Sequence, residues 1–172
     1  HVMDKATKLE KIYDRIDLVK TRFAVAQQEI EKQYWENLAE QKDSKEALQE
    51  KRDQELAQLN DDLEFLEVAN TGGEFIRDED RERIEAIGQK TCTLNGQEVT
   101  LLSKDEVYNL TIARGTLTNE ERLIINGHMV ETIKMLEALP FPRNLRRVPE
   151  YAGGHHEKMD GTGYPKGIDE NQ

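Results

Sequence analysis

Apolar residues recur every three to four positions through the first seventy residues, which is the period of an α-helix. The pattern predicts a helix from Leu9, and no Pro or Gly interrupts the chain before Gly72. The polar positions are dense in Glu, Gln and Lys, which are good helix formers. The apolar stripe of this first helix consists of Leu9, Ile12, Ile16, Val19, Phe23, Ile30, Tyr34 and Leu38.

A break in the pattern at residues 41–44 predicts that a second helix begins there, with Ser44 as its N-cap. The capping signal is weak, because Ala47 stands where a Glu would complete a capping box. The Asn-Thr-Gly-Gly sequence of residues 70–73 is typical of a helix stop. The apolar stripe of this second helix is Leu48, Leu56, Leu59, Leu63, Leu66 and Val68.

Two helices that carry one apolar stripe each bury those stripes best against another helix. Residues 9–70 therefore predict a coiled-coil-like antiparallel hairpin or a dimer, with Tyr34 and Trp35 as a bulky anchor near the middle. Two functions are open for this helical arm. It serves either as a dimerisation or signal-relay element, or as a structural insertion that packs on its own domain.

Two shorter helices are predicted after the arm. Residues 79–87 have a helical pattern that Gly88 is expected to end. Residues 103–110 form the second short helix, in which Ser103 is the N-cap and Glu106 stands at the capping-box position.

A small β-hairpin is predicted over residues 91–101, between these two helices. Asn95-Gly96 stands between β-branched and apolar residues, and it is a strong hairpin signal because both residues tolerate a positive φ. Cys92 falls in the first strand with no histidine near it in sequence, so a reactive thiol is not expected.

Composition narrows the class of protein. The chain has 172 residues, enough for one ordinary domain, and a net charge of −11 that disfavours binding to nucleic-acid polymers. A single cysteine excludes an internal disulfide. No run approaches the roughly 18 apolar residues of a membrane span, and no signal peptide is visible, so a cytoplasmic location is expected. Basic residues gather near the C-terminus, where an anionic ligand is expected: Arg143, Arg146, Arg147, Lys158 and Lys166.

The last helix of the pattern carries the first residue with possible chemistry. Thr118 and Glu121 form a capping box, and the helix they open is expected to run to about residue 139, before Pro140. Its buried stripe is predicted to be Ile125, Met129, Ile133 and Leu136. His128 lies in this apolar neighbourhood, and taken alone it is more typical of a core histidine than of a metal ligand.

A motif rich in His and Gly follows, with the sequence GGHHEKMDGTGYPKG over residues 153–167. Adjacent histidines that project from one helix point in different directions, so His155 and His156 could each serve a different ion of a cluster. Neutral imidazole is a good ligand for iron, manganese or zinc. Glu157 and Asp160 are candidates to accept hydrogen bonds from the imidazole rings or to organise the loop.

This motif, together with Leu117-Thr118-x-x-Glu121 and the spacing from His128 to His155, resembles the signature of the HD-GYP family over residues 115–168. The resemblance implies an all-α hydrolase fold with two or three metal ions, iron or manganese, that activate a water. It further implies hydrolysis of cyclic di-GMP to linear pGpG or GMP. Carried onto this sequence, the metal ligands are His128, His155 and His156, and the substrate side is shaped by Gly163, Tyr164, Pro165 and Lys166.

The chain also departs from that family. It has no His-Asp dipeptide, and more than a hundred residues separate residues 4–9, which resemble the stretch after that pair, from His128. We therefore expect a fragment that lacks the pair and a downstream metal-binding Asp. By itself it should be inactive or nearly so and hold little metal. The expected layout is a core remnant (1–8), an inserted helical hairpin (9–70), short helices with a β-hairpin (71–114) and a core segment (115–172).

Three functions are consistent with these patterns. The parent protein is an enzyme that hydrolyses cyclic di-GMP or a related cyclic dinucleotide, or a metal-dependent phosphohydrolase with another phosphate substrate. Alternatively, it is a non-catalytic signalling or scaffold module that uses residues 9–70 to form a homodimer or to bind a partner. A His-Asp pair upstream would favour an enzyme.

Overall fold

The computed structural model of the protein describes residues 5–73, 75–164 and 167. Within these residues the chain is mainly α-helical with one small antiparallel hairpin, so the predicted fold class is confirmed. The elements are α1 (Ile16–Ala39), α2 (Lys45–Asn70), α3 (Asp78–Gln89), β1 (Thr91–Leu94), β2 (Gln97–Thr100), α4 (Lys104–Leu110), α5 (Asn119–Glu137), a 3-10 turn (Arg143–Leu145) and α6 (Val148–Gly153). The chain divides into two compact units, the first ending at Leu117 and the second beginning at Thr118.

In the first unit, α1 and α2 form the predicted antiparallel hairpin. The cross-helix contacts run in opposite directions along the two helices, with Lys20 bonded to Glu67 at 2.6 Å and Gln27 to Asn60 at 2.7 Å. Ser44 is the N-cap of α2, since its hydroxyl accepts a hydrogen bond from the Ala47 amide at 3.2 Å. The two helices therefore pack against each other within one chain.

The first helix begins later than predicted. Residues 7–15 form turns, α1 starts only at Ile16, and Ile12 is 86% exposed instead of lying on the buried stripe. The reason is the Asp14 carboxylate, which accepts hydrogen bonds from the Ile16 amide at 2.9 Å and the Thr7 hydroxyl at 2.7 Å. An Asp side chain that bonds nearby backbone competes with the helical pattern and favours a helix start after it.

Asn70, the buried last residue of α2, connects the two ends of the hairpin. Its side-chain oxygen accepts from the Leu9 amide at 2.8 Å, its backbone oxygen accepts from the Lys8 amide at 2.8 Å, and its amide nitrogen donates to Asp14 at 2.9 Å. The chain therefore enters and leaves the hairpin at almost the same place.

The core of the first unit lies at the base of the hairpin, where the two helices meet α3, α4 and the β-hairpin. Its fully buried apolar members are Leu9, Val19, Phe23, Leu66, Ile84, Ile87, Leu101, Leu102 and Leu110. Val68 was predicted on the buried stripe of α2, but it is 72% exposed. It lies two residues after Leu66, about 200° further around the helix, and so faces away from the core.

The predicted β-hairpin is present with the expected turn. Strands β1 and β2 pair with Thr91 opposite Thr100 and Leu94 opposite Gln97, and the turn residues Asn95 and Gly96 have φ values of 54° and 76°. Both positive angles match the two-residue turn that Asn-Gly favours.

Gly88 does not end α3, which continues to Gln89. A Cβ atom added at Gly88 would lie only 2.7 Å from a methyl group of Val107 in α4, so the glycine permits close packing of α3 on α4. The predicted capping box of α4 is present. The Ser103 amide donates to Glu106 at 2.7 Å, and the Glu106 amide donates to the Ser103 hydroxyl at 3.2 Å.

Ion pairs with one buried partner attach the hairpin to the rest of the unit. Arg22 of α1 donates to the Leu101 carbonyl at 2.7 Å and to the buried Glu106 carboxylate at 2.6 Å. The buried Asp62 of α2 accepts from Lys90 at 2.6 Å and from Arg83 at 2.9 Å. Burial alone would raise the pKa of Asp62, but the hydrogen bonds from Lys90 and Arg83 hold that pKa below its usual value.

The second unit consists of α5, the 3-10 turn and α6. Of the predicted α5 stripe, Met129 is fully buried, whereas Ile125, Ile133 and Leu136 are half-buried. Gly153, at the end of α6, lies against Ile133, because an added Cβ atom would be 3.1 Å from that side chain.

Replacing Leu66 with alanine should lower the free energy of unfolding by about 2–5 kcal/mol, because it opens a cavity in the core of the first unit. Val68→Ala is the matched control on the same helix, and it should change the free energy by less than about 0.5 kcal/mol. Urea unfolding followed by circular dichroism measures both variants, and similar losses for the two would contradict the burial of the stripe.

The stability of the chain should fall in acid partly through Asp62. Its lowered folded-state pKa means that the stabilisation is present above the unfolded-state pKa and is lost as the pH falls through the folded-state value. Between roughly pH 5 and pH 2, the wild-type chain should therefore lose more stability than Asp62→Asn. The control is Asp61→Asn, which alters an exposed carboxylate that also binds Arg83. If Asp62→Asn has the same pH dependence as the wild type, the buried pair does not titrate as described.

Candidate functional site

α5 positions His128. The helix begins with the predicted capping box, in which the Thr118 amide donates to Glu121 at 2.8 Å and the Glu121 amide donates to the Thr118 hydroxyl at 3.2 Å. His128 precedes the buried Met129 and is itself half-buried. Its ring nitrogen Nδ1 contacts the carbonyl oxygen of Ile125, three residues earlier on the same helix.

The sequence predicts that His155 and His156 project from one helix, but in the structure they do not. α6 ends at Gly153, and the two histidines lie in the turn that follows it. Their rings do not diverge, because the ring centroids are 4.0 Å apart with an interplanar angle of 41°. Leaving the helix allows two consecutive side chains to face the same region.

The structure brings together all three predicted metal ligands. The ring of His156 is close to both of the others, with its centroid 5.6 Å from that of His128 and 4.0 Å from that of His155. Partial burial lowers the pKa of His156, and the charges of His155 and His128 lower it further. The neutral imidazole, which is the form that binds metals, is therefore favoured at this position. We refer to these three residues as the histidine cluster.

Two rings of the cluster are held by backbone carbonyls. Nδ1 of His155 lies 2.6 Å from the Ala152 carbonyl oxygen, and Nδ1 of His128 makes the corresponding contact with Ile125. A carbonyl oxygen can only accept, so each Nδ1 must carry the proton and donate it. In the neutral rings, Nε2 then keeps its lone pair. This arrangement is typical of metal-binding histidines, which donate their other ring N–H to a carbonyl or carboxylate.

The loop after the cluster is organised by Asp160 and Gly163. The Asp160 carboxylate accepts from the Thr162 amide at 2.9 Å and from the Thr162 hydroxyl at 2.6 Å. These two bonds lower the pKa of Asp160. At Gly163, any Cβ atom would overlap the backbone of residues 157 and 158, so only glycine fits. The loop is thereby folded back against the chain that carries the histidines.

Tyr164 lies at the end of this fold-back. Its amide donates to the His156 carbonyl at 3.2 Å, and its ring stacks on the His156 ring with centroids 4.7 Å apart and planes 14° apart. Gly163 and Tyr164, both predicted on the substrate side, thus contact the segment of the histidine cluster. Pro165 and Lys166, the other two predicted substrate-side residues, lie outside the described residues.

The donors present fit a metal site in kind but not in number. Three imidazoles converge, and two of them expose an Nε2 lone pair, as described above. Among the described residues, however, no group of three or more His, Cys, Asp or Glu side chains is arranged to hold an ion. The three imidazoles by themselves are therefore not arranged to hold an ion, and a metal site here would need further ligands.

One of the basic residues near the C-terminus, where an anionic ligand was expected, is paired with an acidic side chain. Arg147 forms a bidentate pair with Glu150 at 2.7 and 2.8 Å, which raises the pKa of Arg147. A cavity of about 540 Å³ lies nearby between α5 and α6, lined by Ile133, Phe141, Arg146 and Pro149 among others. None of the three clustered histidines lines it.

Sequence reasoning missed the groups that orient the rings. In both cases the carbonyl belongs to the residue three positions before the histidine. Only the Ala152 carbonyl had a sequence signal, because it lies at the end of α6, which Gly153 terminates. The stacking of Tyr164 on His156 joins residues eight positions apart across an irregular loop. No periodic pattern in the sequence predicts such a contact.

Comparison with known proteins identifies a family to which part of this chain is similar. Residues 104–172 match the HD domain family. A segment of 54 residues is 41% identical to the 3′3′-cGAMP-specific phosphodiesterase 3 of Vibrio cholerae serotype O1, covering 31% of this chain and 11% of that protein. No solved structure matches the chain. None of the helices in the described ranges is long and apolar enough to cross a membrane.

In their neutral form, His128 and His155 should both have the proton on Nδ1, because each donates to a backbone carbonyl. Long-range proton–nitrogen correlation spectra distinguish the two tautomers, and His128→Ala and His155→Ala assign the signals. Observation of the Nε2–H tautomer at both positions would rule out the carbonyl contacts described here.

Proposed function

Because residues 104–172 match the HD domain family, we propose that this chain is part of a metal-dependent phosphodiesterase of the HD-GYP type that hydrolyses a cyclic dinucleotide. The observation that carries the proposal is the convergence of His128, His155 and His156 beside the Gly163-Tyr164 loop. The identity to a phosphodiesterase that is named for a cyclic dinucleotide supports the substrate class.

The histidine cluster would supply nitrogen ligands to the metal. Bound metal ions lower the pKa of a water and neutralise charge on phosphoryl oxygens. The contribution of the protein would be to present imidazoles with Nε2 free, and the carbonyls of Ile125 and Ala152 support that role for two of the three. We propose iron or manganese, two or three ions in the complete domain, since imidazole suits such ions.

Cyclic di-GMP is the proposed substrate, and 3′3′-cGAMP is the nearest alternative. Both are cyclic dinucleotides with two phosphodiester bonds, and the His-His-Glu and Gly-Tyr-Pro motifs of residues 155–165 resemble those of cyclic di-GMP phosphodiesterases. The relative from Vibrio cholerae is named for 3′3′-cGAMP. Hydrolysis in either case adds water across one P–O bond and opens the ring.

The chain by itself is proposed to be a poor catalyst. Among the described residues, no carboxylate joins the three imidazoles in a common ligand group, and metal affinity depends strongly on the number and geometry of ligands. The sequence also contains no His-Asp dipeptide, which the family uses at its metal site.

Residues 9–70 are proposed to be an insertion within the catalytic domain. The support is that Asn70 joins the exit of the hairpin to Lys8 and Leu9 at its entry. A hairpin whose ends meet can be accommodated without separating the segments that flank it. Lys5 and Lys8 in turn contact Asn109 and Leu110, close to the start of the next unit in sequence.

A homodimer formed through residues 9–70 remains a prediction, as does the alternative of a non-catalytic scaffold. Much of the apolar surface of α1 and α2 is covered by the other helix and by the core, and Leu56 and Leu63 are half-buried in the single chain. Trp35, which is 60% exposed, is the largest apolar side chain on the hairpin that its own chain leaves uncovered.

The deciding experiment measures metal content and the hydrolysis of cyclic di-GMP and 3′3′-cGAMP by the full-length protein and by this 172-residue chain. The full-length protein should retain metal and cleave cyclic di-GMP, and the chain alone should be much less active. His155→Ala in the full-length protein should reduce hydrolysis by at least about tenfold, because loss of a ligand costs no less than loss of a supporting group.

Tyr151→Ala is the matched control, since its exposed ring on α6 lies outside the histidine cluster. It should leave hydrolysis unchanged. A well-folded full-length protein that contains no metal and cleaves neither dinucleotide would overturn the proposed enzyme and favour the scaffold alternative. Cleavage of 3′3′-cGAMP alone would keep the enzyme and change its substrate.

A further inference from the structure

The three rings of the histidine cluster are not oriented in the same way. His128 and His155 each have Nδ1 against a backbone carbonyl three residues earlier. Such a bond limits rotation of the ring about its Cβ–Cγ bond and sets which nitrogen is protonated. In the part of the chain that the structure describes, the His156 ring has no hydrogen-bond partner of this kind, so another interaction has to limit its rotation.

Ring packing takes that place at His156. The Tyr164 ring is nearly parallel to the imidazole, with an angle of 14° and a centroid separation of 4.7 Å. His128 meets the same imidazole edge-on, at an angle of 80°. Rotation of the His156 ring would therefore break the stack with Tyr164 and bring the imidazole into the other two rings.

The backbone places Tyr164 for this contact. The Tyr164 amide bonds to the His156 carbonyl at 3.2 Å, which joins the two residues through their main chains as well as through their rings. Gly163 permits the approach, since any side chain there would overlap the backbone of Glu157 and Lys158. The bonds between Asp160 and Thr162 shape the turn between the two ends.

We infer that Tyr164 is a positioning residue, which holds the His156 imidazole by stacking, as the Ala152 carbonyl holds His155. The inference rests on the proposed function only where it makes His156 a metal ligand. The stack itself is independent of any metal. The interaction uses the face of the ring, so the phenol hydroxyl is not needed for it, and a Phe should replace the Tyr.

This distinction provides the test. Tyr164→Phe keeps the aromatic face, Tyr164→Leu removes it while preserving an apolar side chain, and Gly163→Ala displaces the loop. In proton NMR spectra of the metal-free 172-residue chain, the carbon-bound ring protons of His156 should be shifted upfield by the stacked ring. Nuclear Overhauser contacts should also connect the His156 and His128 rings. Both signals should persist in Tyr164→Phe and disappear in Tyr164→Leu and Gly163→Ala.

The second measurement is the affinity for Zn²⁺, determined by isothermal titration calorimetry on the same variants and on the full-length protein. Tyr164→Leu should weaken binding on the order of tenfold, as loss of groups that orient ligands does, and Tyr164→Phe should stay within about twofold of the wild type. Unchanged His156 signals in Tyr164→Leu, or equal damage in Tyr164→Phe, would overturn the inference.

Failure of the proposed function is recognised separately. If His156→Ala leaves the Zn²⁺ affinity of the full-length protein unchanged, His156 is not a ligand and the proposed metal site is wrong. The NMR signals would still decide whether Tyr164 holds the ring. Met159→Ala, which alters a 73% exposed side chain in the same loop, is the control for general disturbance and should leave every signal in place.

Discussion

The structure of the first unit depends on one buried residue, Asn70, which uses both its side chain and its backbone to join the two ends of a long hairpin. It accepts from the amides of Lys8 and Leu9 and donates to Asp14. A buried amide must satisfy its donors and acceptors, so this position can end α2 only where those three partners are present. The same bonds hold residues 7–14 out of the helix that their apolar pattern favours.

Some of the many charged residues of this chain form buried ion pairs at the base of the hairpin. Asp62 and Glu106 are buried carboxylates that pair with cations from other elements. Asp62 pairs with Lys90 and Arg83, and Glu106 pairs with Arg22. Buried charges are tolerated only with such partners, because an unpaired one costs several kcal/mol. These ion pairs fix the orientation of the hairpin relative to α3 and α4. A small apolar core alone would allow more than one orientation.

In the second unit the governing requirement is the orientation of three imidazole rings. Metal-binding histidines usually donate their other ring N–H to a carbonyl or carboxylate, and local carbonyls accept such a bond from His128 and His155. His156 is held instead by contact with Tyr164, which connects the glycine-rich loop to the histidines. In the segment that matches the HD domain family, the glycine-rich loop therefore packs against the histidine cluster through Tyr164.

The amino-acid sequence by itself determined the elements with strong local signals. These are the capping boxes at Ser103 and Thr118, the Asn95-Gly96 turn and the two long helices. Each is decided by residues within one or two turns of the chain, where propensity and spacing suffice. Only the tertiary structure decided where α1 begins, why Gly88 lies inside a helix and how His156 is held. Those outcomes come from contacts of Asp14 with Asn70, of Gly88 with Val107 and of His156 with Tyr164. Side chains that meet across loops leave no periodic trace in the sequence.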